Sequence, residues 1–428
     1  MRDPFRLAAH GTDVRTEVVA GVTTFLTAAY IVFVNPAILS AAGMDKGALI
    51  TVTCLVAGLS TWLVGLWANV PFMMAPGMGL NAYFAFSLCL GEGIPWQSAL
   101  GVVFLSGVLF LVLTWLGVRE RIVESIPRNL RLAASVGIGL FITFIGLQNL
   151  GLVVKDDVVL VGLGELTGPV LLGLAGIVLM AVLETRGVRG SILLGILVTA
   201  TAGFVLGLTE PPAQLVSAPA SMAPVAFQLD IVAALRPALW AAVFSFMFVD
   251  LFDSLGTLLA VSYEAGRVEE NGRIPGIGRM LGADAMATVV GSVLGTSTTT
   301  TYIESAAGIA EGGRTGLTSV VTGSLFLLAL FFSPLIGAVP AYATAPALVI
   351  VGLFMIRGIH RIDFRRFDEA LPAFLTILLM PLTYSIATGL LFGFLSYVVL
   401  KVLTGRFGEL NPVLVVIAVL SLVDLLVI

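Results

Sequence analysis

"VLGTSTTTTYIESAAGIAEGG", Val293–Gly313, sets four consecutive threonines, a tyrosine and a glutamate inside a chain that is otherwise strongly apolar. Of its 428 residues 58% are hydrophobic and 11% charged, and the mean hydropathy is +1.06. Soluble domains carry about 25% charged residues. Apolar runs of roughly 18–25 residues, enough to cross about 30 Å of hydrocarbon, recur along the whole length. The composition defines a polytopic, all-helical membrane protein. The polar stretch at membrane depth then needs its own explanation, because unpaired backbone and ionisable groups are both costly in lipid.

Working outward from that stretch, hydropathy and loop charge place spans near 17–42, 48–69, 71–90, 96–118, 130–153, 167–184 and 190–208. A second set falls near 237–263, 280–295, 296–310, 316–337, 343–357, 368–385 and 387–403. The proline-bearing linker "TEPPAQLVSAPASMAPVAFQLD" (209–230) separates them. With a cytoplasmic N-terminus, all of the 22 Lys and Arg except Lys46, Lys155 and Arg236 fall inside, as the positive-inside rule requires. "GVRERIVESIPRNLR" (117–131) and "RGIHRIDFRRFDE" (357–369) contribute most. The expectation is a single transporter domain, 1–428, of fourteen spans in the cell membrane. It divides into repeat one (15–208), an outer linker (209–236), repeat two (237–404) and an apolar C-terminal segment (405–428). Within the last, 411–427 reads as an interfacial helix, with a fifteenth crossing as the alternative. The first span lacks a signal-cleavage pattern and reads as a true crossing.

Seven spans per half give the halves opposite orientations, the arithmetic of an inverted repeat with its site near the bilayer midplane. That architecture predicts paired, interrupted spans in corresponding positions. "PFMMAPGMGLNAYFAFSL" (71–88) is third in the first half, and the opening stretch is third in the second. Each sets an extended tetrad, "FMMA" (72–75) or "TTTT" (298–301), before a small-residue helix start. The tetrads are expected to pair edge to edge, with the half-helix N-termini aimed at a shared central space. Plain helix packing also uses small and hydroxylated residues, but it does not call for Glu304.

The deep ionisable groups are Asp250, Asp253, Asp284 and Glu304, all acids. No Lys or Arg is expected deep in a span, and His10 and His360 fall in cytoplasmic segments. The acids must be protonated, or paired with hydroxyls, N–H groups or substrate. This disfavours an anion, allows a cation, and best suits a neutral planar molecule rich in N–H donors, with Asn81 able to donate and accept. Asp250 and Asp253, three residues apart, are expected to share a helix face, so one could hold a proton; bracing a neighbouring span is the other reading of Asp250. Cys54 and Cys89 lie in apolar runs outside any metal-ligand cluster. An intramembrane enzyme using Ser297 or the threonines would lack an embedded base. An anion carrier of sulfate type remains the competing class.

At these residues the chain resembles the AzgA-like purine permeases of the nucleobase–ascorbate transporter superfamily. The resemblance rests on "GVTTFLTAAYIVFVNP" (21–36), "APGMGLNAYF" (75–84), "DLFDSLGTL" (250–258) and "TSTTTTYIESAAGIAEGGRTGLTS" (296–319), in that order over nearly the full length. It implies two interlocked seven-span inverted repeats, with spans 1–4 and 8–11 forming a core domain and spans 5–7 and 12–14 a gate domain. It further implies proton-coupled import of hypoxanthine/guanine or adenine, no cofactor beyond the proton, no nucleic-acid partner and a possible homodimer. By motif, Asp253 and Glu304 become the principal purine ligands, with Asn81 and Gly79 opposite them. Thr301, Ile303 and Thr24 complete the implied binding set, and Asp250 and Asp284 support it. Thr24 stands where uracil and xanthine carriers of the superfamily have a histidine, and Asp253 where they have a glutamate; this favours the purine branch.

Overall fold

The computed structural model describes residues 4–116, 127–156, 159–212, 214–268 and 274–412, with 414, 415 and 418 beyond them. Among these, ten helices are long and apolar enough to cross a membrane. They are Val14–Ser40 (span 1), Lys46–Ala68 (2), Trp96–Trp115 (4), Arg128–Asn149 (5), Gly168–Thr185 (6), Pro237–Glu264 (8), Ile277–Leu294 (9), Gly316–Ala338 (11), Ala341–Arg361 (12) and Ile386–Leu403 (14). Four shorter pieces fill the remaining expected places: 74–91 (span 3), Ser191–Val205 (7), 299–310 (10) and Phe367–Leu382 (13). The protein is thus a multi-pass, fourteen-span membrane protein. Most of the C-terminal segment at issue, 411–427, lies outside the described residues.

Local chemistry sets several helix starts. Asp13, Asp45, Thr315 and Ser385 each accept a bond from an otherwise orphaned amide in the first turn of spans 1, 2, 11 and 14. Glu17 does more. It is fully buried and accepts from the amides of Arg314 (2.9 Å) and Thr318 (3.1 Å), so a carboxylate of span 1 caps span 11. Span 1 itself breaks between Ala28 and Ile31, just ahead of Pro36, whose ring removes one helical hydrogen bond. Span 3 widens into a π-helix over Tyr83–Gly91. Neither irregularity is legible in the hydropathy.

Packing separates two bodies. Spans 1 and 2 pack on 11, and span 9 packs on 2 and 4, with span 8 against 4. Spans 5, 12 and 13 form the other nucleus, joined by 6, 7 and 14. In lipid, close backbone approach supplies dispersion and replaces the missing hydrophobic drive, so small residues mark these seams. Each body has such a seam. A Cβ on Gly65 would stand 2.8 Å from the Gly316 carbonyl oxygen in the first, and a Cβ on Gly139 would stand 2.7 Å from that of Gly352 in the second. The first body corresponds to the expected core and the second to the expected gate. Between spans 5 and 6 an antiparallel hairpin, β2 (Val153–Asp156) with β3 (Leu160–Leu163), adds a feature the hydropathy does not reveal.

Candidate functional site

The two interrupted spans meet as a two-stranded antiparallel ribbon, β1 (Met74–Pro76) against β4 (Thr299–Thr301). Met74 faces Thr301, Ala75 faces Thr300 and Pro76 faces Thr299. The ladder extends through Gly77 N–H to the Thr298 carbonyl and Tyr302 N–H to the Met73 carbonyl, both 2.9 Å. The pairing expected of "FMMA" and "TTTT" therefore forms, with strand β1 assigned to Met74–Pro76. Pro76 ends the strand because it has no N–H to give.

A two-stranded ribbon has two open edges, and lipid cannot satisfy them. One threonine serves each edge. Thr61 of span 2 accepts from Met74 N–H (3.0 Å) and donates to the Met74 carbonyl (2.9 Å). Thr288 of span 9 does the same for Thr299, at 3.0 and 3.1 Å. Spans 2 and 9 occupy corresponding places in the two halves, so the edge closure follows the inverted repeat.

Beyond the ribbon the half-helices start at Met78 and Ser305. Asn81, fully buried, donates to Asn35 Oδ1, and Asn35 Nδ2 donates to Thr53 (2.7 Å) and Thr296 (3.3 Å). This chain of amides and hydroxyls fixes the Asn81 side chain, while its own Oδ1 has no hydrogen-bond partner. Glu304 occupies the N-cap position but makes no side-chain cap; its carboxylate instead accepts from the Tyr30 hydroxyl at 2.5 Å. Tyr30 comes from the break in span 1. The Tyr302 hydroxyl donates to the Pro76 carbonyl, tying the two half-spans together.

Asp253 lines a cavity of about 410 Å³ between core span 8 and gate span 5. Ile138 and Ser135 form part of the opposite wall, and Asp253 lies within electrostatic reach of Glu304. Gly79 packs against the Ile138 that lines this cavity. A Cβ there would stand 2.7 Å from Ile138 Cγ2, so glycine lets the half-helix of span 3 reach the gate.

Other expected residues sit elsewhere. Asp250 is 1% exposed, and Asp284 is fully buried. Ser254 ties them together, donating to Asp284 Oδ2 (2.6 Å) and Asp250 Oδ1 (3.5 Å) and lying 3.2 Å from Thr300 Oγ1. That knot braces spans 8 and 9 behind the ribbon. Three residues turn a helix by about 300°, so Asp250 and Asp253 lie roughly 60° apart on one face of span 8. Along that face Asp250 engages Ser254 while Asp253 lines the cavity. Thr24 is buried against Gly308, where a Cβ would come within 2.1 Å of its Oγ1. Thr301 is buried in the ribbon, and Ile303, 45% exposed, stands on the turn before the half-helix.

The expectation of a site remote from any cation needs correction. Arg128 and Arg131 line the same cavity as Asp253, because the cleft opens at the first turn of span 5. Lys401, near the end of span 14, is also fully buried, 2.6 Å from both Asp368 and Glu409. Tyr30, Asn35, Ser254 and Tyr302 escaped the sequence reading as well. Tyr30 and Asn35 lie inside the quoted "TAAYIVFVNP", where two polar side chains in an apolar run were the available signal.

A core carrying paired half-helices, set against a second helical body with a cavity between them, has the architecture of a membrane transporter. The chain belongs to the Permease family, whose profile matches residues 15–392. It is 44% identical to the adenine permease AdeP of Escherichia coli, over 98% of this chain and 95% of that protein. It is also 44% identical to the guanine/hypoxanthine permease PbuG of Bacillus subtilis, over 97% of each. Among solved structures, the transmembrane domain of the cyanobacterial bicarbonate transporter BicA superposes with a TM-score of 0.66 at 16% identity, covering 87% of this chain and 97% of that one. That likeness establishes the core-and-gate fold, and the relatives bear out the resemblance read from the four motifs.

Proposed function

We propose that the protein imports purine nucleobases across the cytoplasmic membrane by proton symport, with its core moving against its gate. The observation that carries the reading is Asp253 on the wall of a cavity at the core–gate boundary, within electrostatic reach of the Glu304 carboxylate. Ring and exocyclic N–H groups of a purine suit two acceptor carboxylates, and the buried Asn81 Oδ1 adds a third acceptor. Hydrogen bonds to charged groups contribute about 1.5–3 kcal/mol each, so two would supply much of a micromolar affinity. That the relatives AdeP and PbuG are adenine and guanine/hypoxanthine permeases supports the same substrate class.

Proton coupling falls to the carboxylates, since both histidines lie outside the cavity. Glu304, held by Tyr30, and Asp253, facing the cavity, would exchange a proton as purine binds and leaves. The positive-inside distribution puts the N-terminus in the cytoplasm, so the Arg128 end of the cavity faces the cell interior. This form is inward-facing on that reading. A uracil or xanthine carrier is the second reading, disfavoured by Thr24 and Asp253.

The test is uptake of radiolabelled adenine, guanine, hypoxanthine and uracil, at two pH values, by cells lacking their own permeases. Saturable purine uptake that increases at the lower external pH is expected. Absence of uptake for every purine would overturn the function, and uptake unaffected by pH or protonophore would overturn the coupling.

A further inference from the structure

The cavity that receives Asp253 is longer than a base requires. At about 410 Å³ it falls within the roughly 300–1,000 Å³ of sites that enclose drug-sized ligands. Its lining carries charges of both signs. Along span 5 the lining runs from Arg128 and Arg131, at the helix start, to Ile138, and span 8 contributes Asp253 across from them. Ile138 and Arg131 lie seven residues apart on span 5, about 10 Å along the helix. Arg128 and Arg131 are i and i+3, so their guanidinium groups share a face, at the helix end where the backbone dipole is positive. Ser135 and Thr257, about one turn from Arg131 and Asp253 respectively, add hydroxyls to the lining. Asp253 is the sole carboxylate among the described lining residues.

We infer that a purine nucleoside 5′-monophosphate occupies this cavity from the N-terminal side, with its base at Asp253 and its phosphate on Arg128 and Arg131. The inference rests on the purine reading of the site and extends it to a second ligand class. Guanidinium forks bind phosphate oxygens in charge-assisted pairs, which a free base cannot engage. The sugar meets the hydroxyls between the two ends. Such a ligand competes with the base without being carried, because its anionic end holds it across core and gate together. The protein is thereby slowed when the phosphorylated form of its cargo accumulates inside.

The arginines also serve membrane orientation, and that role alone would leave no mark on competition. Equilibrium binding of a tritiated purine to the purified full-length protein separates the two. Competitors are the matching nucleoside, its 5′-monophosphate and inorganic phosphate, each at low and at physiological salt. The monophosphate is expected to compete about tenfold or more better than the nucleoside, and to lose that advantage as salt rises. Inorganic phosphate is expected to weaken competition by the monophosphate while leaving purine bound. In the double variant Arg128→Gln/Arg131→Gln, checked for monodispersity and thermal unfolding, the advantage should vanish while the variant still binds purine. A monophosphate no better than the nucleoside, or displacement of purine by phosphate itself, would overturn the subsite. Failure of the wild-type protein to bind purine would instead overturn the functional reading. The salt dependence of the wild type decides the question even where the variant does not fold.

Discussion

The Tyr30 hydroxyl donates to the Glu304 carboxylate at 2.5 Å, joining the break in span 1 to the N-cap of the half-helix in span 10. Both partners exist because a helix was interrupted. Tyr30 precedes Ile31, where the second piece of span 1 begins, and Glu304 stands at an N-cap it does not itself close. The bond aligns the carboxylate from a core element that does not line the Asp253 cavity.

Tyr30→Phe keeps the ring and removes only the donor. Hydrogen bonds to charged groups contribute about 1.5–3 kcal/mol, so purine uptake should fall roughly tenfold to a hundredfold at unchanged membrane abundance. Uptake kinetics normalised to surface protein check this, and wild-type kinetics would remove Tyr30 from the site.

The two aspartates of span 8 should part company. Asp253→Asn should abolish detectable uptake while the protein unfolds at its normal temperature, because the side chain faces the cavity. Asp250→Asn disturbs the Ser254 knot, and breaking buried polar networks costs about 1–3 kcal/mol. Its signature is a lowered Tm with the affinity of the surviving protein near normal. Equal loss of binding in both variants would contradict this division of roles.

Two glycines should likewise respond differently to alanine. At Gly308 the new Cβ would meet the Ala20 carbonyl oxygen at 2.5 Å, and backbone cannot step aside. Overpacking of this kind costs about 1–3 kcal/mol, read as a lower Tm. At Gly79 the Cβ would crowd the Cγ2 methyl of Ile138, at 2.7 Å, across the core–gate boundary. Gly79→Ala should lower the uptake rate with little effect on Tm, and Ile138→Ala, which removes that methyl, should restore part of it. Independent effects in that double-mutant cycle would argue against the contact.

A charge cluster ties the start of span 13 to the end of span 14 within the gate. Lys401, buried, donates to Asp368 and Glu409, and Arg366 donates to Glu409 as well. The hydrogen bond from Lys401 holds the Glu409 carboxyl below the usual range for glutamate. A depressed folded-state value means that Glu409 stabilises the fold fully above the unfolded pKa of about 4.3, and that this is lost as pH falls through the lower folded value. Thermal unfolding in detergent should show wild-type stability dropping below about pH 4, with a shallower drop in Glu409→Gln. Lys401→Met would leave Asp368 and Glu409 facing each other, and should destabilise the protein far more than Glu409→Gln does.

Much of this protein is local and therefore legible in its residues. Hydropathy sets the spans, because each must cross the same thickness of hydrocarbon. The broken pair announces itself through "FMMAPG" and "TTTTYIE", since lipid admits extended backbone only where it finds a partner. The acids Asp253 and Glu304 stand out because burying a charge in lipid demands a reason. What the residues alone left open depends on rotation and on neighbours distant in sequence. Along one face of span 8, Asp250 joins a buried knot while Asp253 lines the cavity. Thr24 falls behind the half-helix because Gly308 admits it there. Tyr30 reaches Glu304 across 274 residues, and Arg128 lines the cavity because a gate helix starts beside it. Those outcomes were decided only when distant helices packed against one another, because a side chain acquires its role from the wall it faces.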